Sequence, residues 1–250
     1  MIKTVNILVV MVLLTVNPEV FAQTQRAQSA QSGFTAAATA TPVANTNYGQ
    51  PANGQLFNPN GIPMIFVEGN GAINSFYIGM YEVTQRAWKA VMGYNPSVIA
   101  VSDNHPVNGA SWDDVQLFIA KLNELTGRNY RLPTEAEWDY AARGGNLSRG
   151  HTYSGSNNIN DVGVYKKNSK GPQKVGSKKP NELNVYDMTG NLTEWCNDCW
   201  GNDCSYRVLR GGSYVYDAKV NLLANRSRQK AGGLKPDKGY YYIGFRLVLQ

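Results

Sequence analysis

Histidine and cysteine are scarce in this chain, with two of the first and three of the second among 250 residues. The two histidines, His105 and His151, lie far apart, which excludes a histidine-rich metal centre. Cys196, Cys199 and Cys204 would need a fourth ligand to make a zinc site, and neither histidine is near them in sequence, so zinc is not expected there. No apolar run is long enough to span a bilayer comfortably, the N-terminal one included, and no fixed-period repeat points to a solenoid. Helical periodicity is also missing from Gly144 onward, where Gly, Asn and Tyr dominate and only short apolar runs interrupt them.

What is present begins with Lys3, the apolar run Ile7 to Val16, and Val20-Phe21-Ala22 before Gln23. That order of charge, apolar stretch and small residue is a secretory signal peptide, expected over 1–22, and it predicts export to the periplasm, cell surface or exterior. No cysteine follows the cleavage point to carry a lipid. Residues 23–57 are rich in Gln, Ala, Ser, Thr and Asn and lack the apolar bulk to offset chain ordering, so a disordered linker or tether is expected there. From 58 to 250 the composition suits one core of ordinary domain size.

The formal charge is +6, from 24 basic and 18 acidic side chains. Lysines cluster between Lys166 and Lys179 among Gly, Pro, Asn and Ser, without interleaved aromatics. The expected state is a solvated loop, and no nucleic-acid partner is expected. For the cysteines, Cys199 with Cys204 is the favoured disulfide because Gly-Asn-Asp between them can turn, while a Cys196–Cys199 redox pair is the alternative.

Two strands are predicted, Ile62–Val67 and Ser75–Val83, joined through Gly69-Asn-Gly-Ala. A helix follows from Thr84 as N-cap to Gly93, with Trp88, Val91 and Met92 on one face. A second is capped by Ser111 and Asp114 and carries Val115, Phe118, Ile119, Leu122 and Leu125 inward, before Gly127. A third starts at Thr134 with Glu137 as box partner and turns Trp138, Ala141 and Ala142 inward. Few early helices followed by loop-rich chain indicate an α+β domain.

Six motifs then occur in order: Ile78-Gly-Met-Tyr-Glu-Val-Thr84, His105-Pro-Val-Asn-Gly-Ala-Ser-Trp112, Arg131-Leu-Pro-Thr-Glu-Ala-Glu-Trp138, Tyr186-Asp-Met-Thr-Gly-Asn-Leu-Thr-Glu-Trp195, Arg210-Gly-Gly-Ser-Tyr214 and Ile243-Gly-Phe-Arg246. Together they resemble the formylglycine-generating enzyme family, also called sulfatase-modifying factor domains. The resemblance implies a C-type-lectin-like fold with little regular secondary structure. Members of that family include copper-dependent oxidases that convert a substrate cysteine to formylglycine, iron enzymes that make sulfoxides, and ligand-binding proteins.

Counted from Arg210-Gly-Gly-Ser213, the oxidase cysteine pair falls on Tyr216 and Asn221. Neither side chain can replace a soft thiolate on copper(I), so no copper is expected. The family's calcium site maps onto the side chains of Asp187 and Glu194 and the carbonyls of Gly190 and Leu192, hard oxygen donors that suit Ca²⁺. Trp112, Trp138 and Trp195 read as core anchors, Gly211 and Gly212 as backbone necessities, and Arg246 as a structural hydrogen-bonding arginine.

The family's pocket region here holds Tyr214, Tyr216, Asp217, Asn221, Asn225, Arg226, Arg228, Tyr240, Tyr241 and Tyr242. Tyrosine and asparagine supply rigid contact area and adaptable hydrogen bonds. The expectation is a non-catalytic module for a protein, peptide or glycan ligand. A formylglycine-type oxidase and a structural component of an envelope or secretion complex are the alternatives.

Overall fold

A computed structural model of the chain describes residues 51–58, 61–232 and 241–250. The expected leader, most of the expected linker and Tyr240 lie outside the described residues. Within them the domain is α+β, as the sequence predicted.

Two sheets frame it. The first has the order β1-β2-β3-β9-β4 and pairs Leu56–Phe57 (β1), Met64–Val67 (β2), Phe76–Gly79 (β3), Val248–Leu249 (β9) and Tyr130–Arg131 (β4), all antiparallel. The second has the order β7-β6-β5-β8 and contains Ser227–Lys230 (β7), Asp203–Arg210 (β6), Thr193–Trp200 (β5) and Ile243–Gly244 (β8). Only the β5–β8 pair in it is parallel. The chain's C-terminal stretch therefore stitches the two sheets together, one strand in each.

The helices form where their caps dictate. Gln85–Met92 (α1) starts on the Thr84 hydroxyl, which accepts from the Ala87 amide, and stops at Gly93 with φ 83°. Trp112–Thr126 (α2) and Glu135–Ala142 (α3) each open with a complete capping box, Ser111 with Asp114 and Thr134 with Glu137. Trp88 stacks on Phe118 at 5.0 Å, and both meet Phe245 edge-on, so α1, α2 and the C-terminal segment share one core.

Three expectations need correction. Leu125 is 63% exposed, because the helical register carries it to the edge of the inward stripe and half-buried Thr126 takes its place. Trp112 is half-buried and not a core anchor. Its ring lies under the Arg207 guanidinium at 3.8 Å, and its Nε1–H donates to the Cys196 carbonyl. A one-turn helix, Ile159–Val162 (α4), forms where no helical period is visible, since four residues are too few to show one.

Cys199 and Cys204 are joined by a disulfide at the tip of the β5–β6 hairpin, and Cys196 is free and buried. Closing so short a loop removes little chain entropy. The double variant Cys199→Ser/Cys204→Ser is therefore expected to lose about 2 kcal/mol in denaturant unfolding. A loss of about 3–5 kcal/mol, as large as that expected for removing a buried charge partner, would show that the bridge does more than constrain the hairpin.

Candidate functional site

The motif residues Glu82, Asp187, Asn191, Glu194 and Arg246 converge in one buried network. Arg246 is wholly buried and forks onto Glu194, with Nε donating to Oε2 at 2.7 Å and Nη2 to Oε1 at 2.6 Å. Its remaining N–H groups reach the carbonyls of Gly79 and Tyr186, each at 2.9 Å. Trp138 Nε1 adds a third donor to Glu194 at 2.7 Å. Glu82 accepts from the Leu192 amide and from Asn191 Nδ2. Asp187 and Asn191 both adopt left-handed backbone, with φ 60° and 56°, so the loop is bent tightly around these contacts.

Three buried carboxylates thus face one guanidinium. Burial, then the charges of Asp187 and Glu194, push the Glu82 carboxyl well above its usual range. Burial likewise lifts Asp187 to about 6. Asp187 Oδ2 accepts from the Gly176 amide, while Oδ1 is buried with no hydrogen-bond partner. An excess of buried negative charge beside an orphaned carboxylate oxygen fits a cation held by oxygen donors. Glu194 fits less freely, since Arg246 engages both of its oxygens. Among the described residues no three His, Cys, Asp or Glu side chains form a metal cluster. The expected calcium set contains only two such side chains.

Gly211, whose carbonyl accepts from the Gly190 amide, and Gly212 line a cleft of about 170 Å³, with Tyr216, Asn225 and Arg226 also on its wall. Both glycines have positive φ, 93° and 68°. A Cβ on Gly212 would stand 2.2 Å from Asn221 Oδ1, so the turn closes only without a side chain. Asn221 is buried and donates to the carbonyls of Tyr216 and Asp217, clamping its own loop. Its Oδ1, like the neighbouring Ser213 Oγ, is buried without a partner.

Tyr216 is half-buried and meets Tyr242 edge-on at 5.7 Å, and Tyr242 meets Tyr241 at 5.4 Å. Burial and then the hydrogen bond with Tyr242 push the Tyr216 phenol upward. Tyr214, buried behind the cluster, is pushed up to about 12 by burial and then by Tyr241. These phenols stay neutral at physiological pH and act as contact surface and hydrogen-bonding groups.

Of the other expected residues, Asn225 and Arg226 stay on the cleft wall, whereas Asp217 and Arg228 do not line it. Asp217 is exposed and faces Lys166 Nζ at 3.9 Å. Asn225 donates to the Lys219 and Val220 carbonyls. Arg226 pairs with Glu135 at 2.8 Å and lies 4.5 Å over Trp200, while Arg228 lies over Tyr206 and Trp200 on the hairpin face. Glu82, Trp200 and Glu135 are the site neighbours that sequence reasoning missed. Glu82 stood inside a quoted motif, but its partners are more than 100 residues away.

No cysteine lines the cleft. The Cys196 thiol is wholly buried, and burial, followed by the charges of Glu194 and Asp198, holds it well above the usual thiol range. A thiol in that state is a poor nucleophile and a poor metal ligand.

The chain is 33% identical to the chaperone protein LppX of Paenibacillus barcinonensis, a match covering 68% of this chain and 80% of that protein. It is 30% identical to a formylglycine-generating enzyme of Thermomonospora curvata, covering 64% of this chain and 60% of that enzyme, less than two thirds of the relative's length. Among solved structures, Treponema denticola variable protein 1 superimposes with a TM-score of 0.64 at 25% identity, covering 78% of this chain and 98% of that one. The sulfatase-modifying factor enzyme 1-like domain matches residues 48–250, and the chain belongs to that family.

Proposed function

We propose that this domain is an exported, non-catalytic binding module, stabilised by calcium, that holds a polypeptide in the cleft beside Tyr216. The observation that carries the reading is the pair Tyr216 and Asn221. One is a neutral phenol in an aromatic cluster, the other an amide spent on closing its own loop. The cleft has a polar rim but no group able to carry copper(I) or attack a substrate among its lining residues. A polypeptide is favoured over a glycan by the relative that is named a chaperone protein. Calcium would sit on Asp187 Oδ1 with the carbonyls of Gly190 and Leu192, and on whatever lone pair Arg246 leaves free on Glu194.

The test uses a permanently unfolded, carboxymethylated polypeptide as probe. The wild-type chain is expected to bind it, and Tyr216→Ala to weaken binding by about tenfold or more, as loss of a central aromatic anchor does. A parallel incubation with copper(I), oxygen and a sulfatase-motif peptide is expected to leave the peptide cysteine unchanged. Conversion of that cysteine would overturn the reading in favour of an oxidase. Equal binding by wild type and Tyr216→Ala would remove the cleft from it.

A further inference from the structure

Between Asp161 and Glu182 the chain carries six lysines, at 166, 167, 170, 174, 178 and 179, and no acidic residue. The structure shows that this is no slack loop. The Lys166 amide donates to the Tyr216 carbonyl, the Gln173 amide to Asn191 Oδ1 and the Val175 amide to the Asn104 carbonyl, at 3.1, 2.9 and 3.1 Å. Asn168 closes the intervening turn, accepting from the Tyr165 amide and donating to the Gly163 carbonyl, both at 2.9 Å. Lys178 Nζ donates to the Asn160 carbonyl while the Tyr165 hydroxyl donates to Asn160 Oδ1, so both ends of the segment are tied to Asn160. Between Lys166, Lys167, Ser169, Lys170 and Gln173 lies a recess of about 390 Å³.

The counter-charge is thin. Asp217 faces Lys166 at the outer limit of an ion pair, and its carboxylate is half exposed. Fixing like charges on a rigid backbone costs self-repulsion, which a bound anion relieves. A recess accepts a chain more readily than a flat bilayer. Among the described residues, no large apolar side chain between Leu147 and Val220 is exposed to insert into lipid. The lysines also lack the interleaved aromatics on which bases stack.

We propose that this lysine-lined recess is a second binding site, for an anionic polysaccharide bearing sulfate or phosphate groups. Its lining residues are all different from those of the tyrosine cleft, although the Lys166 amide is anchored on the Tyr216 carbonyl, and the proposal does not depend on the polypeptide reading. Lysines act here as point charges that tolerate variation along a repeating polymer, where a discrete planar anion would call for arginine.

The test is binding of the full chain to a heparin oligosaccharide, with inorganic phosphate as a monomeric competitor. Three lysine contacts imply an affinity that falls roughly twentyfold between about 50 and about 200 mM salt. Lys166→Gln/Lys167→Gln/Lys170→Gln is expected to abolish most of the binding and flatten that dependence, whereas the corresponding arginine variant retains it. Arg86→Gln/Lys121→Gln/Arg149→Gln removes the same charge elsewhere and is expected to bind as wild type, as is Tyr216→Ala. An equal loss in the Arg86, Lys121 and Arg149 variant would reduce the effect to net charge and overturn the site. Tighter retention on phosphatidylglycerol vesicles or single-stranded DNA than on heparin would overturn the ligand class.

Discussion

Arg246→Leu is expected to destabilise the domain by about 3–5 kcal/mol at neutral pH, the cost of leaving buried charge without its partner. Arg246 is wholly buried and is the cation that Glu82, Asp187 and Glu194 all face. Leucine would fill part of the space but strand Glu194, whose two oxygens accept from the guanidinium, and would orphan the Gly79 and Tyr186 carbonyls. Against a typical domain stability of about 5–15 kcal/mol, that loss brings unfolding within reach of mild denaturant. Arg246→Lys should fail nearly as badly, because an ammonium cannot fork onto a carboxylate and reach two carbonyls at once. Urea unfolding of the three proteins at neutral pH measures the effect. A midpoint for Arg246→Leu within about 1 kcal/mol of wild type would mean that the carboxylates are already protonated or otherwise compensated.

This network also marks the boundary between what the sequence reveals and what only the fold reveals. The helix starts were readable because a cap is local. Ser111 with Asp114, and Thr134 with Glu137, are three residues apart and meet in every helix that begins that way. The β5–β6 hairpin was readable only in part. Its inner half is buried on both faces and its outer half is half-buried or exposed, so neither strand alternates as a half-buried strand should. Glu82, Asp187, Glu194 and Arg246 each stand in a motif, but nothing in the spacing of those motifs says that the side chains meet. The register of β9 on β3 and of β8 on β5 does that. The cleft is similar. The resemblance puts Tyr216 and Asn221 at the two positions of the oxidase cysteine pair, yet whether an asparagine faces a ligand or closes its own turn depends on two carbonyls that only the folded loop presents.

In a calcium-free buffer the domain is expected to be more stable near about pH 5 than near about pH 7.5, opposite to what most buried acids in ion pairs produce. Asp187 is raised from 3.8 to about 6 by burial, so the folded state holds its proton more tightly than the unfolded chain does. Its contribution is fully present below the unfolded value and is lost as pH rises through about 6, a swing on the order of 3 kcal/mol. Glu82 is raised as well and acts in the same direction. The proposed calcium would take the ionised carboxylate, so about 1 mM of it should raise the melting temperature clearly at about pH 7.5 and hardly at all at about pH 5. Asp187→Asn separates the two effects. Its side-chain oxygen can still accept from the Gly176 amide, the position that holds the orphaned Oδ1 becomes an uncharged N–H₂, and the charge to be desolvated is gone. The variant should match or exceed wild type in chelator at about pH 7.5, lose much of the pH slope and ignore calcium. A calcium response that survives in Asp187→Asn would move the ion to other donors, and a wild-type profile that rises with pH would show that Asp187 is ionised in the folded protein without one.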